Sequence, residues 1–306
     1  MSLDKSIDCK TITLLQQTLG KLCMDWFFTF QEKSDVVYST HSMFLAFSLL
    51  YLGAEGETKN ELSKVFGYSS IGEEEIFTVL SFLMSHKYSK NSVEIVDAIW
   101  ASQHFEFFKE YIEKIEKLSC RISTADFEKD VEKTQKEINN YVAEKTRNLI
   151  QQLIPSGFIN SSTAAILINT IYFKGTWSEK FDVLPNKMKF GNSQEVTMLS
   201  NKVCSAAVFS NEYTACCLSY SDTNNQIAFV MPNDIEKFEK AREGEIYEIM
   251  RSLSQNFPEK RSVTFPKFSV ESSVNMVQQL RKLGLNLPFS CDANFSKMAK
   301  GKILCV

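Results

Sequence analysis

Thr163-Ala164-Ala165-Ile166-Leu167-Ile168-Asn169-Thr170-Ile171-Tyr172-Phe173-Lys174-Gly175-Thr176-Trp177 is almost continuously apolar from Ala164 to Phe173. A strand that is apolar on both sides needs cover on both faces, so this run predicts a buried strand in the middle of a sheet. Upstream, Ser92 to Ser102 alternates as Val93, Ile95, Asp97 and Ile99 against Glu94, Val96, Ala98 and Trp100. That pattern predicts a second strand, placed beside the first. Glu128 to Leu153 carries Val131, Ile138, Val142, Leu149 and Leu153 as one stripe and predicts a long helix lying across the pair.

Further outward the two halves differ. Leu14, Leu15, Thr18, Leu19, Leu22 and Trp26 follow helical spacing, and helices are also expected over about Ser42 to Leu52, Glu57 to Phe66, Ile76 to Met84 and Glu106 to Leu118. Gly53 and Gly67 are natural stops for the first two of those four. From Phe190 to Met231 short strands dominate, then a helical Glu236 to Leu253, a strand Ser262 to Val270 and a helix Ser273 to Leu283. Helices come first and sheets later, without βαβ alternation, so the expected class is α+β. No repeat or Pro/Gly-rich linker divides the chain, which predicts a single domain over 1–306.

Composition closes off several functions. Thirty-four basic residues against 37 acidic ones leave a net charge of −3, which offers no field for nucleic acid or an anionic membrane. The longest apolar stretch, Met43 to Leu52, is too short to span a bilayer. Met1 to Lys10 carries Asp4, Lys5, Asp8 and Lys10 and does not read as a secretory leader, so a cytoplasmic location is expected. The eight cysteines contain no C-x-x-C pair, and Cys216 and Cys217 would point to opposite faces of a strand; free thiols are expected. His41, His86 and His104 do not sit at ligand spacing from any cysteine, so no metal or other cofactor is implied.

No enzyme signature appears: G-x-S-x-G, H-E-x-x-H, G-x-x-x-x-G-K-[ST] and G-x-G-x-x-G are all missing. Ser39-Thr40-His41 puts a hydroxyl beside an imidazole, but nucleophile and base are assembled by the fold rather than by adjacency. Ser39, Thr40 and Ser42 read better as caps for the helix that follows. The protein is not expected to be an enzyme.

Five ordered motifs carry a resemblance. Val36 to Ser42, followed by Leu52-Gly53-Ala54-Glu55-Gly56-Glu57-Thr58 and Glu61-Leu62, resembles "N-V-x-x-S-P-x-S…L-G-A-x-G-x-T…E/Q-L". Ile138-Asn139-Asn140-Tyr141-Val142 with Thr146 and Ile150 resembles "I-N-x-W-V-x-x-x-T…I". Asn169 to Trp177 with Phe181 resembles "N-A-I-Y-F-K-G-x-W…F", the most specific of the five. Val263 to Phe268 resembles "L-P-K-F", and Leu283-Gly284, Phe289 and Ala293 to Met298 resemble "L-G…F…A-D-F-S-x-M". These are motifs of the serpins, a family of serine protease inhibitors.

The resemblance implies a metastable fold of three β-sheets and eight to nine helices. It also implies inhibition of a serine-type endopeptidase, or in some relatives a cysteine protease, by insertion of a cleaved bait loop into the large sheet. Ser39, Ser42 and Asn169 match the family's polar shutter beneath the central strands, and Trp177 matches the aromatic at the breach where insertion starts. Thr40 stands where the family has proline. The pattern stops at Ile303-Leu304-Cys305-Val306, before the hinge, the bait loop and the last core strands. The expectation is therefore a fragment of an inhibitor, with no reactive-centre bond in 1–306; the alternatives are a non-inhibitory binding or decoy protein and a degenerate product without a stable fold. A monomer is expected. Residues 70–90 set His86, Lys87 and Lys90 against Glu73, Glu74 and Glu75, so activation by a polyanion is not expected. Many family members act in the extracellular space, which is the alternative location.

Overall fold

Asp8 begins the helical half. Its carboxylate accepts the Thr11 N–H at 2.7 Å and so caps helix α1, Cys9–Phe27. Helix α2, Thr40–Gly53, is apolar all round and buried nearly throughout, with Phe44, Leu45 and Leu49 fully enclosed. Helix α3, Gly56–Phe66, stops at Gly67, whose φ of 71° is left-handed and cheap only for glycine. The short α4, Tyr68–Ile71, and α5, Glu73–Ser85, follow.

The computed structural model describes residues 7–30, 35–85, 93–104, 106–118, 120–161, 163, 165–191, 194–221, 225–241, 246–270, 272 and 276–300. Ser92, Ala164, Ser273, the bases His86, Lys87 and Lys90, and Ile303 to Val306 lie outside those residues. The chain divides into two compact units: Met1–Phe30, Ser39–Phe173 and Asn275–Val306 make the first, Gln31–Tyr38 and Lys174–Val274 the second.

The first unit holds a three-stranded sheet. Strand β1, Val93–Ser102, is followed by α6, Lys109–Lys117, then β2, Arg121–Ala125, then α7, Val131–Lys145, then β3, Ala165–Phe173. The order is β2-β1-β3, parallel between β1 and β2 and antiparallel between β1 and β3, with Asp97 opposite Asn169 at the midpoint of the latter ladder. Helix α7 lies across one face, packing Ile138 and Val142 on Ala98, Trp100 and Ile168. Two expectations change here. The run that read as a central strand pairs with β1 alone among the described residues, and β1 is the strand in the middle. An apolar run reports that faces are covered; it does not report whether both edges are bonded. Helix α7 ends at Lys145 rather than Leu153, because Arg147 and Asn148 adopt φ of 51° and 61° and turn the chain out of the helix. Leu149 and Leu153 leave the apolar stripe and are 73% and 40% exposed.

Asn139 explains why this turn is tight. Its amide donates to Ile154 O at 2.9 Å and accepts the Ile154 N–H at 2.8 Å, so one side chain clamps the segment after α7. Helix α10, Met276–Lys282, and a 3-10 turn at Leu287–Phe289 complete the unit. Glu61 from α3 accepts the N–H groups of Asn286 and Leu287, both within 2.8 Å.

The second unit is mostly sheet. Strand β4, Asp182–Val183, precedes a small hairpin of β5, Met188–Phe190, and β6, Gln194–Val196. The long β7, Met198–Phe209, pairs by its first part with β10, Glu259–Pro266, and by its last part with β8, Tyr213–Ser219, which in turn pairs with β9, Gln226–Pro232. Helices α8, Ile235–Ala241, and α9, Ile246–Gln255, lie between β9 and β10 in sequence. Ile249 and Leu253 of α9 pack on Ala215 and Cys217. The described residues thus hold ten α-helices and three sheets. The helices exceed the expected number because Gly67 separates the single turn of α4 from α3. Of the seven described cysteines, Cys9, Cys204 and Cys291 are exposed, Cys23 and Cys216 half-buried, and Cys120 and Cys217 buried.

Candidate functional site

Ser39 ends an extended approach with φ −115° and ψ 105°, and its Oγ accepts the Ser42 N–H at 3.1 Å. That is the N-cap of α2, the role its position before a helix suggests. Thr40 is the first helical residue. Proline is favoured at that position because the N–H there has no intrahelical acceptor, so threonine restores a donor without disturbing the helix ladder.

Helix α2 packs against β3, the strand that carries Asn169. Asn169 Nδ2 donates to Asp97 Oδ1 at 2.6 Å across the β1–β3 ladder. Asp97 is 5% exposed, and burial pushes its carboxyl up to about 6, partly offset by the Asn169 bond. His41 Nε2, Ser42 Oγ and Asn169 Oδ1 are among the buried side-chain atoms of the first unit with no hydrogen-bond partner among the described residues. Burial alone lowers the His41 imidazole, which favours its neutral form. The structure therefore joins Ser39 to Ser42 and Asn169 to Asp97. No hydrogen bond links either serine to Asn169 among the described residues.

Asp97 is the residue missed by the sequence reading. Its signal was there: a lone acid among Val93, Ile95 and Ile99, in the apolar half of an alternating strand. A buried acid needs a partner, and the register supplies Asn169.

Trp177 belongs to the second unit. Its ring stacks on Tyr220 at 4.8 Å with an interplanar angle of 16° and meets Phe181 and Phe265 edge-on at 5.6 and 5.9 Å. Val203 and Leu218 complete this cluster. The backbones of Trp177 and Tyr220 also form an isolated antiparallel bridge. Elsewhere in the unit a cavity of about 440 Å³ presents Ser178, Ser219, Ser254, Asn256, Cys204 and Cys217, and among the described residues no histidine, acid or lysine lines it. Its hydroxyls and thiols have no general base within the lining. Among the described residues no three His, Cys, Asp or Glu side chains are grouped to hold a metal ion, and no helix is long and apolar enough to cross a membrane.

Taken with the order of elements, this is an α+β protein with a buried Asp97–Asn169 pair between two strands and an aromatic cluster around Trp177. A family model described as Serpin (serine protease inhibitor) matches residues 17–306. Human Serpin B3 is 25% identical over 323 residues, covering 95% of this chain and 83% of that protein. The bovine leukocyte elastase inhibitor is 26% identical over 305 residues, covering 94% and 81%. Emu ovalbumin shares the fold with a TM-score of 0.88 at 22% identity, covering 94% of this chain and 82% of that one. The chain belongs to the serpin family.

Proposed function

We propose that the protein inhibits a serine protease as a bait and not as an enzyme, by adding a cleaved loop to its sheet as a new strand. Family membership over residues 17–306 supports the inhibitor class, and the bovine relative is itself named an elastase inhibitor. The observation that carries the insertion step is β3. It is bonded to β1 at nine successive register positions, while its other edge pairs with no described strand. Ile171 and Phe173 on it are 37% and 41% exposed. Strand addition works by pairing backbone N–H and C=O groups along a sheet edge, and this is the step the reading assigns to β3. In this reading Ser39, Ser42 and Asn169 govern opening beneath the strands, Trp177 anchors the point where insertion starts, and the protein works as a monomer in the cytoplasm.

The test begins with the intact mass of the protein purified from its own source, set against the 35.0 kDa of residues 1–306. That natural protein is then incubated with a panel of serine and cysteine proteases and run under denaturing conditions. A denaturant-resistant adduct with one serine protease is the expected result. A larger natural chain that is cut, or left alone, without ever forming an adduct overturns the proposal in favour of a binding or decoy role. Residues 1–306 expressed alone should form no adduct. Recovery in the medium rather than in cell extract would overturn the cytoplasmic assignment.

A further inference from the structure

The cavity of the second unit lies between β7, β8 and the end of α9, and its volume of about 440 Å³ suits a small molecule. Two thiols line it, and they differ in kind. Cys217 is 7% exposed, and among the described residues its sulfur makes no hydrogen bond. Burial, with Cys216 beside it, pushes the Cys217 thiol up, so it stays protonated and inert. Cys204 is exposed and lines the same cavity, so a reagent from solvent meets it first.

Cys204 stands directly opposite Lys260 in the β7–β10 ladder. Glu179 joins the two: its Oε1 accepts the Cys204 N–H at 2.6 Å, and its Oε2 accepts from the Lys260 ammonium. That Glu179 bond, and to a smaller degree the Cys204 sulfur, holds the Lys260 amine above its usual range, which fixes a cation beside the thiol. The remaining polar lining is neutral. Gln226 donates Nε2 to Ser219 Oγ and Asn256 donates Nδ2 to Ala207 O. Among the described residues both amide oxygens are then left to accept from a ligand, and the Ser178 and Ser219 hydroxyls are left to donate.

We propose that Cys204 is a site of reversible S-thiolation, taking one half of a small anionic peptide disulfide of the glutathione type and seating its peptide arm in the cavity. The Cys204 thiol gives its proton to solvent and its sulfur attacks one sulfur of the disulfide. A bond forms between Cys204 and that sulfur, the S–S bond of the reagent breaks, and the other half leaves as a thiolate that takes up a proton. The peptide disulfide is thus the oxidant and is itself reduced, and an excess of free thiol runs the step backward. The arm's N–H groups meet the Gln226 and Asn256 oxygens, its carbonyls meet the serine hydroxyls, and a carboxylate meets Lys260. The inference concerns the second unit alone and is independent of the inhibitor reading.

The probe is glutathione disulfide, with hydroxyethyl disulfide as the neutral reference for each thiol's own reactivity; peptide mass locates every adduct. Scaled to that reference, Cys204 should react about tenfold faster than the exposed Cys9 and Cys291, the factor that one added charge-assisted contact supplies. Lys260→Met should remove most of that preference. In the adduct, alkylation of Cys217 should slow several-fold because the arm lies over it, while Cys120 in the first unit should be unaffected. Equal scaled rates at the three exposed cysteines would overturn the recognition of the peptide disulfide. Unchanged labelling of Cys217 would overturn the seating of the arm. Both measurements use the unaltered protein, so a poorly folding Lys260→Met chain would not leave the question open.

Discussion

The ring of Tyr220 closes on the backbone of Gly175: a Cβ at that glycine would stand 2.7 Å from Tyr220 Cε1 and Cγ, and closer still to a third ring carbon. The glycine of the Phe-Lys-Gly-Thr-Trp stretch is therefore there for close approach, since the same Tyr220 ring is the one that Trp177 stacks on. Gly175→Ala should push the ring off its stack and cost about 1–3 kcal/mol by overpacking. Urea unfolding followed by tryptophan emission measures it, and an unchanged midpoint would show that Tyr220 has room to move.

Trp177 itself is half-buried, so its removal should cost less than that of a fully enclosed tryptophan. Trp177→Ala is expected to lose about 2 kcal/mol, combining partial burial with the Tyr220, Phe181 and Phe265 ring contacts. Trp177→Phe should recover part of that loss. Equal losses in the two variants would mean that the ring stack contributes nothing.

Ser39 makes one cap bond, to the Ser42 N–H. Ser39→Ala should destabilise by about 1 kcal/mol, while Ser39→Asp should stay within a few tenths of the parent, because a carboxylate accepts the same N–H and suits a helix N-terminus. If the aspartate variant falls as far as the alanine one, Ser39 has a role beyond the cap.

Among the described residues Asn139 is the sole partner of the buried Ile154 N–H, whereas the Ile154 carbonyl also receives Gln135 Nε2 at 2.9 Å. Asn139→Ala should thus orphan one group and cost about 1–3 kcal/mol. The specific sign is faster hydrogen exchange at the Ile154 amide than at the neighbouring amides of α7. Unchanged protection there would place the clamp elsewhere.

Patterns with a single physical cause were legible from residues alone. Gly67 had to be a stop, and the Ile138 and Val142 stripe had to face a sheet. The neighbour relations of β3 were not legible, because apolar character along Ala165 to Phe173 reflects cover above and below, while pairing uses backbone groups that every residue carries. The end of α7 was hidden for a related reason: Leu149 and Leu153 continued the helical stripe, and only the left-handed turn at Arg147 and Asn148 breaks it. Of the site, Ser39 could be read as a cap from its place before a helix. The partnership of Asp97 with Asn169 could not, since it spans 72 positions and depends on register.

The thiols give each unit its own clock. Cys120 is 4% exposed in the first unit and Cys217 is 7% exposed in the second, and neither is tied up in a disulfide. A small alkylating reagent reaches such a sulfur only during a local opening. The exposed Cys9, Cys204 and Cys291 would be consumed first and the half-buried Cys23 and Cys216 next, which leaves Cys120 and Cys217 as the slowest of the described thiols, on peptides of different mass. Their rates convert directly into the frequency with which each half of the molecule breathes, without denaturant, label or engineered probe.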